Sequence, residues 1–158
     1  MKNILILGIG NILCGDDGIG SHIVNYLNES DLEIPSHVEI IDGGTAGFDL
    51  LSIMKGRNKI IIVDAVSVDD MPGSVYRFTP ENIKTRERSI SLHQLGISEV
   101  IRMLKVMGET PEIEIIGIVP ENLSEITMDI SDSVKNAIPD AVNQILDAVN
   151  VHDANNNL

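Results

Sequence analysis

The sequence predicts a three-layer α/β/α sandwich built on a mostly parallel, twisted central sheet. Three observations carry that prediction. Short β-branched apolar runs alternate with stretches of helical periodicity, the pattern of βαβ units. The run Ile60-Ile61-Ile62-Val63 shows no polar alternation, as expected of a strand buried on both faces. Glycine-rich or acidic turns stand where strands end, at "GIGNILCGDDGIG" (8–20), "DGG" (42–44) and Asp64.

The elements follow in order. The apolar run at 3–8 reads as the first strand, and Gly18 opens a helix with Ile19, Ile23 and Leu27 on one face. A second strand at 38–41 ends at Asp42-Gly43-Gly44, and Leu50, Leu51 and Met54 mark a short helix. The third strand, 59–63, ends at Asp64. Met71-Pro72-Gly73 is a turn signal before a short strand at 74–78. Ser91 is expected to cap a helix carrying Ile97, Val100, Ile101, Leu104 and Met107, with Gly108 as its stop. A strand at 112–118 ends before Pro120. The last helical pattern uses Val134, Ile138, Val142, Ile145 and Val149. Pro139 should break it, because proline costs about 3 kcal/mol inside a helix. Residues 1–150 then make a single domain, and 151–158 a disordered tail.

Composition narrows the function. The chain has 158 residues, and its 24 acidic against 11 basic side chains give a net charge of -13. Nucleic acid and anionic membranes both need clustered Lys and Arg, so neither is an expected partner. No apolar run approaches the ~20 residues of a membrane span. The single cysteine, Cys14, excludes an internal disulfide and suits a reducing cytoplasm. We read it as an inert, half-buried residue. His22 and His37 are expected at the surface, and His152 in the tail.

The loop at 8–20 looks at first like a phosphate cradle. Gly8 and Gly10 supply two positions of the dinucleotide fingerprint, but the third falls on Leu13, and no lysine lies between residues 3 and 54. Charge decides the matter. A helix N-terminus favours an anion by about 0.3–1 kcal/mol. One carboxylate 4 Å from a phosphate opposes it by about 4 kcal/mol at an effective dielectric of 20. With both Asp16 and Asp17 in place, the loop suits a cation. Asp16 is read as the helix cap and Asp17 as the residue facing the cation.

In an open parallel sheet, functional groups gather beyond the carboxyl ends of the strands. Asp17, Asp42 and Asp64 follow the first three strands, and His93 is expected to turn back toward the same edge. Carboxylates plus one imidazole make an open site for a divalent transition metal.

These residues resemble the maturation endopeptidases of nickel–iron hydrogenases. The matching pieces are "GIGNILCGDDGIG", "EIIDGGTAGFDLL", "IIIVDAV", "SLHQLG" and "IGIVPE", in the family's order and across most of the chain. The resemblance implies removal of the C-terminal extension of a hydrogenase large-subunit precursor after nickel insertion. It implies a metal-binding triad of Asp17, Asp64 and His93, with Asp42 aiding catalysis or docking. The metal is then nickel brought by the precursor, and the enzyme a cytoplasmic monomer or weak homo-oligomer. One departure is Asp17, where some relatives carry Glu.

An alternative is a receiver-like phosphoacceptor module with Asp64 as the acceptor. It needs a lysine at the end of its fifth strand, and "IEIIGIVPEN" has none. A flavodoxin-like cofactor binder is disfavoured by the 3% aromatic content.

Overall fold

The computed structural model describes residues 3–83, 91–92 and 95–157. Alternation along the first strand, β1 (Ile4–Ile9), already sorts the layers. Ile4 and Ile6 point to one face, and Leu5, Leu7 and Ile9 to the other. β3 (Lys59–Ser67) does the same, and every residue from Lys59 to Val66 is buried. That is the central strand its unbroken apolar run predicts.

The sheet order is β2-β1-β3-β6-β4. β2 (Val38–Gly44) and β3 flank β1 in parallel, with Leu7 level with both Ile41 and Ile62. β6 (Glu112–Ile118) continues the parallel set beside β3, and β4 (Val75–Phe78) closes the edge antiparallel to β6. A two-residue strand, β5 (Ser91–Leu92), pairs antiparallel with the end of β3. Ser91 therefore belongs to a strand and not to a helix cap. The helix begins four residues later, as α3 (Leu95–Val106), and Gly108 at φ +82° stops it as expected.

Helices cover both faces. α1 (Ile19–Glu29) and α4 (Asp132–Asn156) pack on the Ile4, Ile61, Val63 and Ile116 face. α3 and the short α2 (Leu51–Met54) pack on the Leu5, Ile60, Ile62 and Ile115 face. This is the predicted three-layer arrangement.

Two expectations for the end of the chain are corrected. Pro139 lies inside α4, which runs unbroken through it. Buried Val134 and Ala137 before it, and Ala141, Val142, Ile145, Ala148 and Val149 after it, seat both halves on one face of the sheet. Burial at that scale outweighs the ~3 kcal/mol of one proline. The segment read as a disordered tail continues α4 to Asn156. It is tied down by His152 Nδ1 to Glu112 at 3.0 Å and by Asp153 to His37 Nε2 at 2.9 Å. His37 and His152 thus hold the helix end.

Beneath α4, Lys59 is buried. Its Nζ meets Glu114 at 2.8 Å, Glu112 at 3.2 Å and the Ala148 carbonyl at 3.1 Å. Arg77 shares Glu114 at 2.8 Å, so the charges at the amino end of the sheet are paired. Among the described residues, no helix is long and apolar enough to cross a membrane.

Candidate active site at the carboxyl edge of the sheet

The loop after β1 turns through a single 3-10 turn, Gly15–Gly18, directly into α1. Gly10 makes the turn possible. It has φ +139°, and a Cβ there would lie 2.0 Å from the Asp17 carbonyl oxygen. At Gly20, in the first turn of α1, a Cβ would meet Val63 O at 2.2 Å and Ile9 O at 2.3 Å. The start of α1 therefore rests backbone against backbone on the end of β1 and the middle of β3. That seat sets the turn carrying Asp17 against β3, where Asp64 lies inside the strand and not at its end as expected, since β3 runs on to Ser67.

Both aspartates are buried: Asp17 is 4% exposed and Asp64 0%. Asp17 Oδ2 accepts the Asn11 N–H at 3.1 Å, and Asp64 Oδ1 accepts the Ala65 N–H at 2.8 Å. Asp42 stands at the end of β2, level with Gly8, and is exposed. Its Oδ1 accepts the Ser21 hydroxyl at 2.7 Å and the Gly44 N–H at 3.0 Å, and its Oδ2 the Asn25 amide at 3.3 Å. Sequence reasoning missed Ser21 and Asn25. Their signal was a polar i, i+4 pair on the helix that follows the glycine-rich loop.

His93 lies outside the described residues. β5 brings Leu92, the residue before it in sequence, opposite Val66, two residues beyond Asp64. Among the described residues, no three His, Cys, Asp or Glu side chains stand together as a metal-holding group. Asp17 and Asp64 are the two carboxylate donors of the expected triad that the structure describes at this edge. Oxygen donors with one imidazole suit a borderline divalent cation.

Asp16 does something other than the expected capping. The N-cap of α1 is Gly18, with no side-chain hydrogen bond. Asp16, with no exposed surface, reaches across to the segment between β6 and α4. Its Oδ2 accepts the N–H groups of Glu121 (2.9 Å) and Asn122 (2.8 Å) and the Ser131 hydroxyl (2.8 Å), while Oδ1 accepts the Ser131 N–H at 2.8 Å. Burial pushes its carboxyl up, but the donors from Ser131, Asn122 and Glu121 prevail and hold it below the ordinary carboxylate value. One ionised side chain thus anchors two loops of the site. Cys14 is half-buried, as expected, while His22 is half-buried and not on the surface.

An open cavity of about 460 Å³ adjoins this edge, between Val66 near the end of β3, Val68 and Asp69 beyond it, and Val119, Pro120 and Leu123 after β6. It begins two residues beyond Asp64.

The hydrogenase maturation protease family model matches residues 21–148, a span that includes Asp42, Asp64 and His93. The hydrogenase 2 maturation protease of Escherichia coli strain K12 is 40% identical over 149 residues, covering 92% of this chain and 90% of that one. The hydrogenase expression/formation protein HupD of Rhizobium leguminosarum bv. viciae is 33% identical, over 88% of this chain and 70% of its own. Among solved structures, the hydrogenase maturating endopeptidase HybD from E. coli superposes with a TM-score of 0.82 at 37% identity, covering 94% of this chain and 93% of that one. The [NiFe] hydrogenase maturation protease HybD from Thermococcus kodakarensis gives 0.76 at 30%, covering 92% and 97%. The receiver alternative falls with these matches. The order β2-β1-β3-β6-β4 with an antiparallel edge also departs from the 2-1-3-4-5 order of that fold.

Proposed function

The chain belongs to the hydrogenase maturation protease family, and from that premise we propose how its carboxyl edge performs the family's reaction. It is an endopeptidase, a hydrolase that processes the C-terminus of the hydrogenase large subunit. In our reading Asp17, Asp64 and His93 grip nickel already seated in the precursor, so that cleavage follows metal loading. The nickel is part of the substrate, and the enzyme needs no resident cofactor.

Hydrolysis adds one water to the scissile carbonyl, breaks the C–N bond and delivers a proton to the departing amine. Held by Asp17, Asp64 and His93, the nickel would supply Lewis-acid chemistry to the scissile carbonyl or to the attacking water. We assign the proton to Asp42. It is solvent-exposed, and Ser21, Asn25 and the Gly44 N–H fix its orientation. Asp16 touches no substrate in this scheme and serves as a positioning residue. The enzyme works in the cytoplasm as a monomer or weak homo-oligomer.

The observation that carries this reading is the burial of Asp17 and Asp64 on adjacent segments, joined by the seat of α1 on β1 and β3. Incubating the enzyme with precursor, with and without nickel, and following release of the C-terminal peptide by mass spectrometry tests it. Cleavage should require nickel, and Asp64→Ala should abolish it with circular dichroism unchanged. Equal cleavage of nickel-free precursor refutes the grip on nickel, and full activity of Asp64→Ala refutes the site.

A further inference from the structure

The segment between β6 and α4 forms a small parallel bridge with the loop after β1, Cys14 level with Thr127. The Thr127 N–H donates to Leu13 O at 2.9 Å, and the Gly15 N–H to Thr127 O at 2.8 Å. Thr127 and Cys14 are half-buried, and the residues that alternate with them are exposed: Leu13 is 54% exposed, Ile126 91% and Met128 59%. Single exposed apolar side chains are ordinary, but grouped ones mark interaction surfaces. These three ride on the same two loops that Asp16 ties together, and Leu13 lies four residues before Asp17.

Charge surrounds this ridge unevenly. Glu125 and Asp129 flank Ile126 and Met128, and the described loops after β2 and β3 add Asp49, Asp69 and Asp70. Across 10–18, 42–50, 67–73 and 119–131 there is no Lys or Arg.

We propose that the Leu13–Ile126–Met128 ridge docks the large-subunit precursor, gripping a segment whose apolar side chains are flanked by Lys or Arg. This rests on the protease reading, because the substrate is then a protein that must lie across this edge to reach Asp17 and Asp64. The ridge supplies apolar contact, and the acidic loops orient the approach.

The test uses purified precursor, with cleavage kinetics and direct binding to the uncut form measured in parallel. Leu13→Ser combined with Ile126→Ser should raise KM and the dissociation constant roughly tenfold, with kcat unchanged. Val106→Ser on α3, a residue 77% exposed at the far end of the molecule, should change neither. Raising salt from about 0.1 to 1 M, which shortens the Debye length from ~10 to ~3 Å, should raise KM of the wild type. Glu125→Gln with Asp129→Asn should flatten that dependence.

An unchanged KM in the ridge variant, a fall in kcat alone, or the same loss in Val106→Ser overturns the proposal. A salt dependence unaltered by the charge variant overturns its electrostatic half. Precursor that binds the wild type without being cut refutes the protease reading and leaves the ridge to stand or fall on binding. Precursor neither bound nor cut refutes both.

Discussion

Replacing Asp16 tests whether one carboxylate couples the site loop to the start of α4. Its two oxygens accept three backbone N–H groups and one hydroxyl, all between 2.8 and 2.9 Å. Hydrogen bonds to a charged group contribute roughly 1.5–3 kcal/mol each, and less than additively when shared. In Asp16→Asn, the better orientation keeps the oxygen toward Glu121, Asn122 and the Ser131 hydroxyl. The new NH2 then faces the Ser131 N–H, which loses its acceptor. One bond lost and two donors opposed amount to about 2 kcal/mol. Asp16→Ala leaves four part-buried donors without this acceptor and should cost about 4 kcal/mol. At 2–4 °C per kcal/mol for a domain of this size, Tm should fall by about 4–8 °C and 8–16 °C respectively.

The pH dependence has a definite sign. The folded carboxyl titrates below its unfolded value of 3.8, so its contribution is present above that value and is lost as pH falls through the folded one. The deficit of Asp16→Asn should therefore be constant from about pH 8 to 5 and shrink below about pH 4. Urea unfolding followed by circular dichroism across that range measures it. A Tm within 2 °C of wild type for Asp16→Ala, or a deficit undiminished at the lowest pH, would falsify the anchoring role.

Two further outcomes follow from the packing. Gly20→Ala forces a Cβ within 2.3 Å of two strand carbonyls that cannot move independently, and should cost about 3 kcal/mol or more, read by denaturant midpoint or by loss of soluble protein. Ending the chain at Asn150 removes the Asp153–His37 and His152–Glu112 pairs and should lower stability by about 1–2 kcal/mol. No change on truncation would restore the view of the tail as inert.

The layers and the parallel core were legible because their causes are local. An unbroken run such as Ile60–Val63 declares its burial in the sequence, and so does a glycine stop such as Gly108. Asp42 was legible near the end of its strand, whereas Asp64 lies within β3, because the pairing of Val66 and Ser67 with β5 lengthens that strand and leaves no local trace. The reading of Asp16 as a helix cap was not what the fold uses it for. The partners of Asp16 lie 105 to 115 residues away, beyond any capping rule. Pro139 misled for the opposite reason: a local cost was visible, while the sheet face that outweighs it was not. Ser91 resembled a cap because strand pairing with Ser67 leaves no local trace.

The seat of α1 sets what this lineage is free to change. Where two elements meet through side chains, their spacing drifts with each substitution in the core. Here the first turn of the helix meets two strands peptide to peptide, with Gly20 against the Val63 and Ile9 carbonyls. That gap is set by the radii of atoms every polypeptide shares. It acts as a gauge block between the segments that carry Asp17 and Asp64.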